Sequence, residues 1–575
     1  MSDGAGRPER LGVRAAAIDE TRLDPVTISV IGSSLRAAAD EMSEALKRSS
    51  FSPIIREMLD YSCAILTPEG ETIAQAENIP ALLGSMTIAL QTLVAENPAD
   101  RLRPGDIFIA NDPYRGGTHT PDIHIFTPVF VGDRVVAWTG SLAHHADIGG
   151  TNPGTEGFAN RSIFEEGLRF PNIRLFEAGR PVEPLFRYIE ANVREPRAML
   201  GDLRAQVAAV KLGAGRVIAL AERYGPDLLG RATTVLMHQA ERRIRARIAA
   251  RRDGRAEAEG WLDDDGLGGD PVRIHVAIEV AGDEVLVDFT GTDPQMRGGL
   301  NCSRTAVLAG VLFVVKAVFD ADGVQNGGCA RPISVILPEG TAVNPRYPAA
   351  VSLRHLTAQR ITDTLVRAFT SLYPETGVAG SFVGFSSLAA EGRHPRTGDT
   401  TVAQDDLGGG TGASDHADGL DTVDTYLGNV GILPAEICEL QYPLRIVTTE
   451  LVSDSGGPGR HRGGLGMRRI YEFLAPCDLV AYSEQTDPRF AAWSAAGGLP
   501  GSPASVLLVR ASGATESITK VRTTTEAGDR LVVVTGGGGG YGNPRDRARG
   551  DVLRDVREGK ISSAAAQSTY GFDGG

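Results

Sequence analysis

No stretch of this sequence approaches the roughly 20 consecutive apolar residues that a membrane-spanning helix needs, and the opening MSDGAGRPERLGVRAAAIDE lacks the apolar centre of a signal peptide. A cytoplasmic address without membrane attachment is therefore expected. Cysteine is scarce. Cys63, Cys302, Cys329, Cys438 and Cys477 are the only five in 575 residues, widely scattered and without a CxxC pair. That excludes a disulfide framework and a zinc ribbon, and leaves buried or incidental thiols. Basic runs interleaved with aromatics are missing and the net charge is -14, so nucleic acid is not expected as a partner. The one basic concentration, Arg242 to Glu259, reads as a solvated helix face running into a linker. GxxxxGK[ST], HExxH and GxSxG are all absent, so no motif supports a Walker phosphate loop, a zincin or an α/β-hydrolase nucleophile.

Glycine is abundant instead. The 70 glycines gather in LGGGTG, DSGGPGRHRGGLG and TGGGGGYG, where a flexible linker would spread them. Blocks of this kind inside strand-like sequence point to tight turns and close backbone approaches, and TGGGGGYGNP reads as a packed turn. With 42% hydrophobic and 23% charged residues the composition is that of a folded globular chain. Its length corresponds to about four domains' worth of chain, or to one large interdigitated architecture.

The expected fold class is α+β, a large multi-layer single-chain architecture with a β-rich, glycine-rich C-terminal part. Residues 1–23 read as a flexible lead. Residues 24–190 form an α+β part, with helical spacing over Ser34 to Arg48 and Ala81 to Glu96 and three strand-like runs in DIFIAN, DIHIFTPVFV and DRVVAWTGSLAHH. Residues 191–260 are mainly helical. Residues 261–380 return to α+β, with a hairpin closed by Ala-Gly-Asp, a buried helix over Ser303 to Asp320 and an amphipathic helix from His355 to Leu372. LRHLTAQR, at the start of that last helix, could meet an anion, with a surface helix as the plainer expectation. Residues 381–575 are short strands broken by glycine.

Histidine is rare, ten in the whole chain, yet four fall in GGTHTPDIHIF and AHHADIGG. Gly132-Asp133 between the two clusters is a favourable hairpin turn. A turn centred there sets Asp122 opposite Ala143 and Pro121 opposite His144, bringing the clusters side by side. A shift of one residue decides whether His144 or His145 shares the face of Asp122. Both clusters repeat one spacing, His119 to Asp122 and His144 to Asp147. Two imidazoles with one or two carboxylates form an open nitrogen and oxygen set suited to zinc, manganese or ferrous iron. On composition alone, hydrogen-bonded strand-end histidines in a polar crevice weigh as much.

The block NDPYRGGTHTPDIHIFTPVF resembles the signature of the hydantoinase B/5-oxoprolinase family, and the likeness continues through REMLDYSCAIL, LAHHADIGGTNPG, EEGLRFPNIRL, VDFTGTDPQ, LGGGTGASDHADG, DSGGPGRHRGGLGMRR and TGGGGGYGNPRDR. The resemblance implies a divalent metal, zinc, manganese or iron, on His119, Asp122, His144 and Asp60, with Glu57 as the rival of Asp60. It thereby favours His144 over His145. Asp147 and His145 become candidate catalytic groups behind the ligands, orienting an imidazole or moving protons, with loop hydrogen bonding as their plainer role. Asn111 and Asp112 are expected to cap the turn entering the site, and His124 to be structural. The resemblance also implies a hetero-oligomer with a hydantoinase A-type ATPase subunit, which would use the ATP with magnesium. The implied activity is opening of a cyclic amide (a hydantoin, oxoproline or lactam ring). The alternative is an ATP-dependent ketone carboxylase of the acetone or acetophenone type.

Overall fold

The computed structural model describes residues 7–12, 23–76 and 78–572. Most of the expected lead lies outside the described residues, but Glu9–Arg10 within it is not loose: it pairs antiparallel with the strand Ile333–Ile336. The fold is α+β. The sheet that carries both histidine clusters is seven-stranded and antiparallel, in the order Thr72–Gln75, Tyr61–Leu66, Arg134–His144, Asp122–Val131, Ile107–Ala110, Ile173–Glu177, Arg180–Pro181. A five-stranded sheet joins Glu9–Arg10, Ile333–Ile336, Glu284–Asp288, Val272–Ala281 and Gly254–Leu262. The C-terminal part contributes a four-stranded and a second five-stranded sheet.

The first long helix runs Pro25–Ser49, nine residues ahead of the expected start. Its early turns are rich in β-branched residues and contain Gly32, which lowers intrinsic propensity. Tertiary packing overrides this. Asp24 caps the helix by accepting from the N–H of Val26 and Thr27, Pro25 opens it, and Ile28, Ile31, Leu35, Met42 and Leu46 are buried on one stripe. Gly32 lets the Leu236 side chain approach to where a Cβ would sit 3.1 Å away.

Two hydrophobic cores cross the boundaries that composition suggests. One joins the Pro25–Ser49 and Pro196–Tyr224 helices to residues as distant as Leu388, Tyr471 and Leu531. The other joins Phe126 and Trp138 to the helices Arg304–Asp320 and Arg354–Leu372 and to Tyr482. Burial of this sort contributes about 1.5–3 kcal/mol per large side chain, so none of the segments keeps its core without the others. The Arg354–Leu372 helix departs most from expectation. It is not a surface helix, because it is sandwiched between the Gly254–Leu262 strand and the Arg304–Asp320 helix, and Arg354, Gln359, Arg360 and Asp363 are all buried. All five cysteines are buried and unpaired. Among the described residues, no helix is long and apolar enough to cross a membrane.

TGGGGGYG is not a turn. Gly536 to Gly540 run extended through the interior of the C-terminal part, and their backbone groups bond outward to several segments. Gly537 donates to Ser502, Gly538 to Gly464, Gly539 to Gly380 and Gly540 to Leu499, at 2.8–3.1 Å. Gly537 and Gly540, three residues apart, thus reach the same neighbouring segment, which is the periodicity of a threefold polyproline-II-like chain rather than of a flat strand. Such a bundle leaves no room between backbones for a side chain.

Candidate metal centre

The Asp122–Val131 and Arg134–His144 strands form the expected hairpin, with one local irregularity that decides the site. Val131 faces Arg134 and Phe130 faces Val135, but Val129 faces Ala137, so Val136 is an extra residue on its strand. This bulge moves every later pair by one. Asp122 therefore faces His144, not Ala143, and the two side chains lie on one face of the sheet. On the other side, Tyr61 pairs with Ala143, and the His144 N–H donates to the Asp60 carbonyl at 3.0 Å. Leu59, at φ 65°, turns the chain so that Asp60 enters the site. Glu57 stays behind on the short Pro53–Arg56 turn, partly exposed, and pairs with Arg56 at 2.8 Å.

The loop that delivers His119 is clamped from inside. Asn111 donates to the carbonyls of Thr120 and Leu168 and accepts from the Phe170 N–H at 2.6 Å. Asp112 accepts from the Tyr114 N–H at 3.0 Å, capping the turn Pro113–Arg115, and pairs with Arg169 at 3.4 Å. Asp112 thus caps the turn, while Asn111 ties the loop to Leu168 and Phe170.

His119, Asp122 and His144 are buried and present donor atoms that all lie within 4.8 Å of one another. Asp122 Oδ1 is 3.1 Å from His119 Nε2 and 3.1 Å from His144 Nδ1, while Asp60 Oδ2 is 3.9 Å from His144 Nδ1. The other oxygen of Asp122 is occupied by Arg354 at 2.6 Å and by the Thr118 hydroxyl. His119 Nδ1 lies 2.8 Å from the Ser352 carbonyl. A carbonyl only accepts, so Nδ1 carries the hydrogen and Nε2 is left as a bare lone pair. That Nε2 is buried without a hydrogen-bond partner and faces a carboxylate oxygen. Two acceptors held 3.1 Å apart repel unless a cation lies between them. The donor set fits a divalent ion on this observation, and its two imidazoles with one or two carboxylates are of the open, catalytic type.

His145 and Asp147 are not part of this cluster. Alternation turns His145 to the opposite face, where Nε2 meets Gln206 Oε1 at 3.0 Å under the Pro196–Tyr224 helix. Asp147 is held by Arg194, at 2.8 Å through the guanidinium and 2.7 Å through the backbone N–H. His124 lies two residues along the strand, buried and stacked on Phe126 at 5.6 Å, and does not reach the cluster.

The residues that sequence reasoning missed come from far along the chain. A cavity of about 530 Å³, counted out to its mouth, opens over the cluster and is also lined by Glu156, Arg354, His355, Phe385, Asp406 and Leu427. Arg354 and His355 belong to LRHLTAQR, whose unusual concentration of His and Arg was the one available signal. Glu156 bonds Gln404 at 2.9 Å and Tyr482 at 2.8 Å, and Tyr482 bonds His355 Nε2 at 3.0 Å. Gln404 in turn approaches His144 Nε2 at 3.5 Å.

Burial and charge divide these groups. Burial pushes His119 down to about 4, with Asp122 only partly offsetting it. Burial also lowers His144, but the hydrogen bond to Asp122 and the charges of Asp60 and Asp122 outweigh it and lift it to about 9. Asp60 is raised to about 6 and Glu156 to about 8, chiefly by burial. Several carboxyl groups thus crowd a space in which the lining holds one guanidinium, that of Arg354, already paired. A divalent cation would relieve that excess.

His119 is oriented through the Ser352 backbone, which Glu166 holds by accepting from the N–H groups of Val351 and Ser352 at 2.6 and 2.9 Å. Burial raises Glu166 from its ordinary 4.5 to about 8, against the lowering effect of those two bonds. A raised carboxyl keeps its proton when folded after the unfolded chain has lost it. Its contribution to stability is therefore complete below 4.5 and is lost as pH rises through about 8. Glu166→Gln preserves the acceptor and cannot ionise. Urea unfolding across this range is expected to show a flatter decline in the variant; parallel curves would contradict the assignment.

A profile for a family described as hydantoinase B/oxoprolinase matches residues 24–544. The beta subunit of caprolactamase from Pseudomonas jessenii is 31% identical over 560 residues, covering 96% of each chain. The crystal structure of the ATP-dependent caprolactamase from the same organism superposes with a TM-score of 0.90 at 30% identity, covering 96% of this chain and 97% of that one. A nucleotide-free acetone carboxylase structure matches with a TM-score of 0.86 at 20% identity, over 96% of this chain and 80% of that one, and at that identity the likeness is one of fold.

Proposed function

This chain belongs to the hydantoinase B/oxoprolinase family, and from that premise we propose that it is the metal-bearing subunit of an ATP-dependent cyclic amide hydrolase, acting with an A-type ATPase subunit in the cytoplasm. The observation that carries the reading is the bare, buried Nε2 of His119 facing Asp122 Oδ1. His119, Asp122 and His144, with Asp60 beside them, would hold the divalent ion. Such an ion polarises an amide carbonyl and acidifies a bound water. ATP with magnesium would be used by the partner, consistent with the lack of a Walker motif here.

The rest of the cavity suits a small ring with one polar edge. Ile79, Leu82, Phe385, Leu427 and Val430 add apolar surface to the cavity that the ligand cluster lines. Arg354 fixes Asp122 by one oxygen and leaves the other directed at the imidazoles. Burial raises Glu156 to about 8, and in its protonated form it can donate to Tyr482, which lies 2.8 Å away. Tyr482 then donates to His355 Nε2, so the hydrogen of the neutral imidazole resides on Nδ1. Among the described residues none bonds that Nδ1, and His355 lines the cavity. His355 could deliver a proton to the departing amide nitrogen and be restored from Glu156 through Tyr482.

The test is a purified complex with an A-type subunit, supplied with ATP and labelled bicarbonate and offered hydantoins, lactams and ketones. ATP-dependent ring opening without label in the product is expected. Label retained in a carboxylated ketone would replace the hydrolase reading with the carboxylase one.

A further inference from the structure

The helix Arg304–Asp320 starts at Ser303, whose side chain makes no capping bond. Among the described residues none accepts from the N–H groups of Arg304 and Thr305, which are donors that every helix start leaves open. Ser303 is 3% exposed and its Oγ is buried without any partner. A capping serine normally spends that oxygen on its own helix. Ser303, Arg304 and Thr305 together line a cleft of about 840 Å³, counted out to its mouth and separate from the metal centre, which Tyr114 to Gly116 also line.

Two guanidiniums flank these donors. Arg304 pairs with Glu9, and Arg115 pairs with Glu96, which also lines the cleft, through Nε at 3.1 Å and through one Nη. The second oxygen of Glu96 accepts from Asn172 at 2.9 Å. Both carboxylates are thus engaged, while each guanidinium has further N–H groups to give. An anion entering the cleft would meet a helix N-terminus, an idle hydroxyl and two arginines.

We propose that this cleft binds a phosphate-type oxyanion, held by the backbone N–H groups of Arg304 and Thr305, the Ser303 hydroxyl and the guanidiniums of Arg115 and Arg304. Arginine suits phosphate oxygens by its planar, forked donors, and a helix N-terminus suits them by its free N–H groups and dipole. The site stands independently of the reaction assigned to the metal centre. It is connected to that centre by a short, tightly pinned strap. Gly116, at φ 102°, lies where a Cβ would come within 2.6 Å of the Ala89 backbone, and His119 follows three residues later.

The full chain would be titrated with inorganic phosphate and, separately, with ADP, by calorimetry and thermal denaturation at matched ionic strength. Saturable binding and a rising Tm are expected, with Arg115→Gln and Arg304→Gln each weakening binding about tenfold, as loss of a charge-assisted bond implies. ADP binding tighter than phosphate assigns the oxyanion to a nucleotide, and equal or weaker binding assigns it to free phosphate. Ser303→Asp supplies a carboxylate to the same N–H groups, so it should raise Tm without phosphate and abolish the response. No saturable response in the wild type, or an undiminished one in Ser303→Asp, would overturn the proposal.

Discussion

His119→Ala and His144→Ala, singly and together, are expected to leave a folded protein that no longer retains a divalent metal. Wild-type protein should carry about one ion per chain by elemental analysis, and the double variant none. Ring-opening activity of the complex should fall roughly a thousandfold or more, since Lewis-acid assistance provides several kcal/mol and each 1.36 kcal/mol is one decade in rate. The histidines are better targets than Asp122. Arg354 is buried against Asp122 at 2.6 Å, and Asp122→Ala would strand that charge at a cost of about 3–5 kcal/mol. Loss of activity in that variant would mix misfolding with loss of the ligand. His119→Ala gives up the hydrogen bond from Nδ1 to the Ser352 carbonyl and strands no charge, so circular dichroism should be unchanged and the unfolding midpoint should fall only modestly. Unchanged metal content in the double variant would refute the site.

Gly538→Ala should be among the most destabilising single-methyl additions available in this chain. The new Cβ would run into the Thr411 carbonyl and come within 2.8 Å of the Gly412 nitrogen. Both obstacles are backbone, and Gly538 also donates to Gly464 and accepts from Gly457 at 3.0 and 2.8 Å, so no rotamer can absorb the strain. A loss above about 4 kcal/mol is expected, within the exceptional tail for point substitutions, visible as insoluble protein or a strongly lowered midpoint. Gly215→Ala is the control. It lies exposed in the Pro196–Tyr224 helix with nothing within 4 Å of a Cβ, and should stabilise by up to about 1 kcal/mol. Comparable midpoints for the two variants would mean that the glycine bundle is looser than its hydrogen bonds indicate.

The glycine blocks show where reading along the chain stops. That backbones approach closely there is implied by the residue type itself. That Gly536 to Gly540 form an extended, threefold-bonded interior segment and not a turn depends on Ser502, Gly464, Gly380 and Leu499 converging on it, and nothing within the block encodes those partners. Arg354 and His355 make the same point. Their helix is periodic in sequence, but its burial follows from layers on two sides, and the Arg354 contact with Asp122 spans 232 positions.

By itself the sequence determined the chemistry on offer: two HxxD pairs either side of a Gly-Asp hairpin turn, helices where apolar spacing demanded them, and the family of motifs from NDPYRGGTHTPD to TGGGGGYG. The tertiary structure decided which of those groups meet. A single bulge at Val136 changed the register so that His144, rather than its neighbour, faces Asp122. Strand side chains alternate with a period of two, so one inserted residue reverses every face beyond it. No local pattern announces such an insertion. Asp60, Glu156 and His355 then joined through packing between distant segments, whose contacts leave no mark on the spacing of nearby residues.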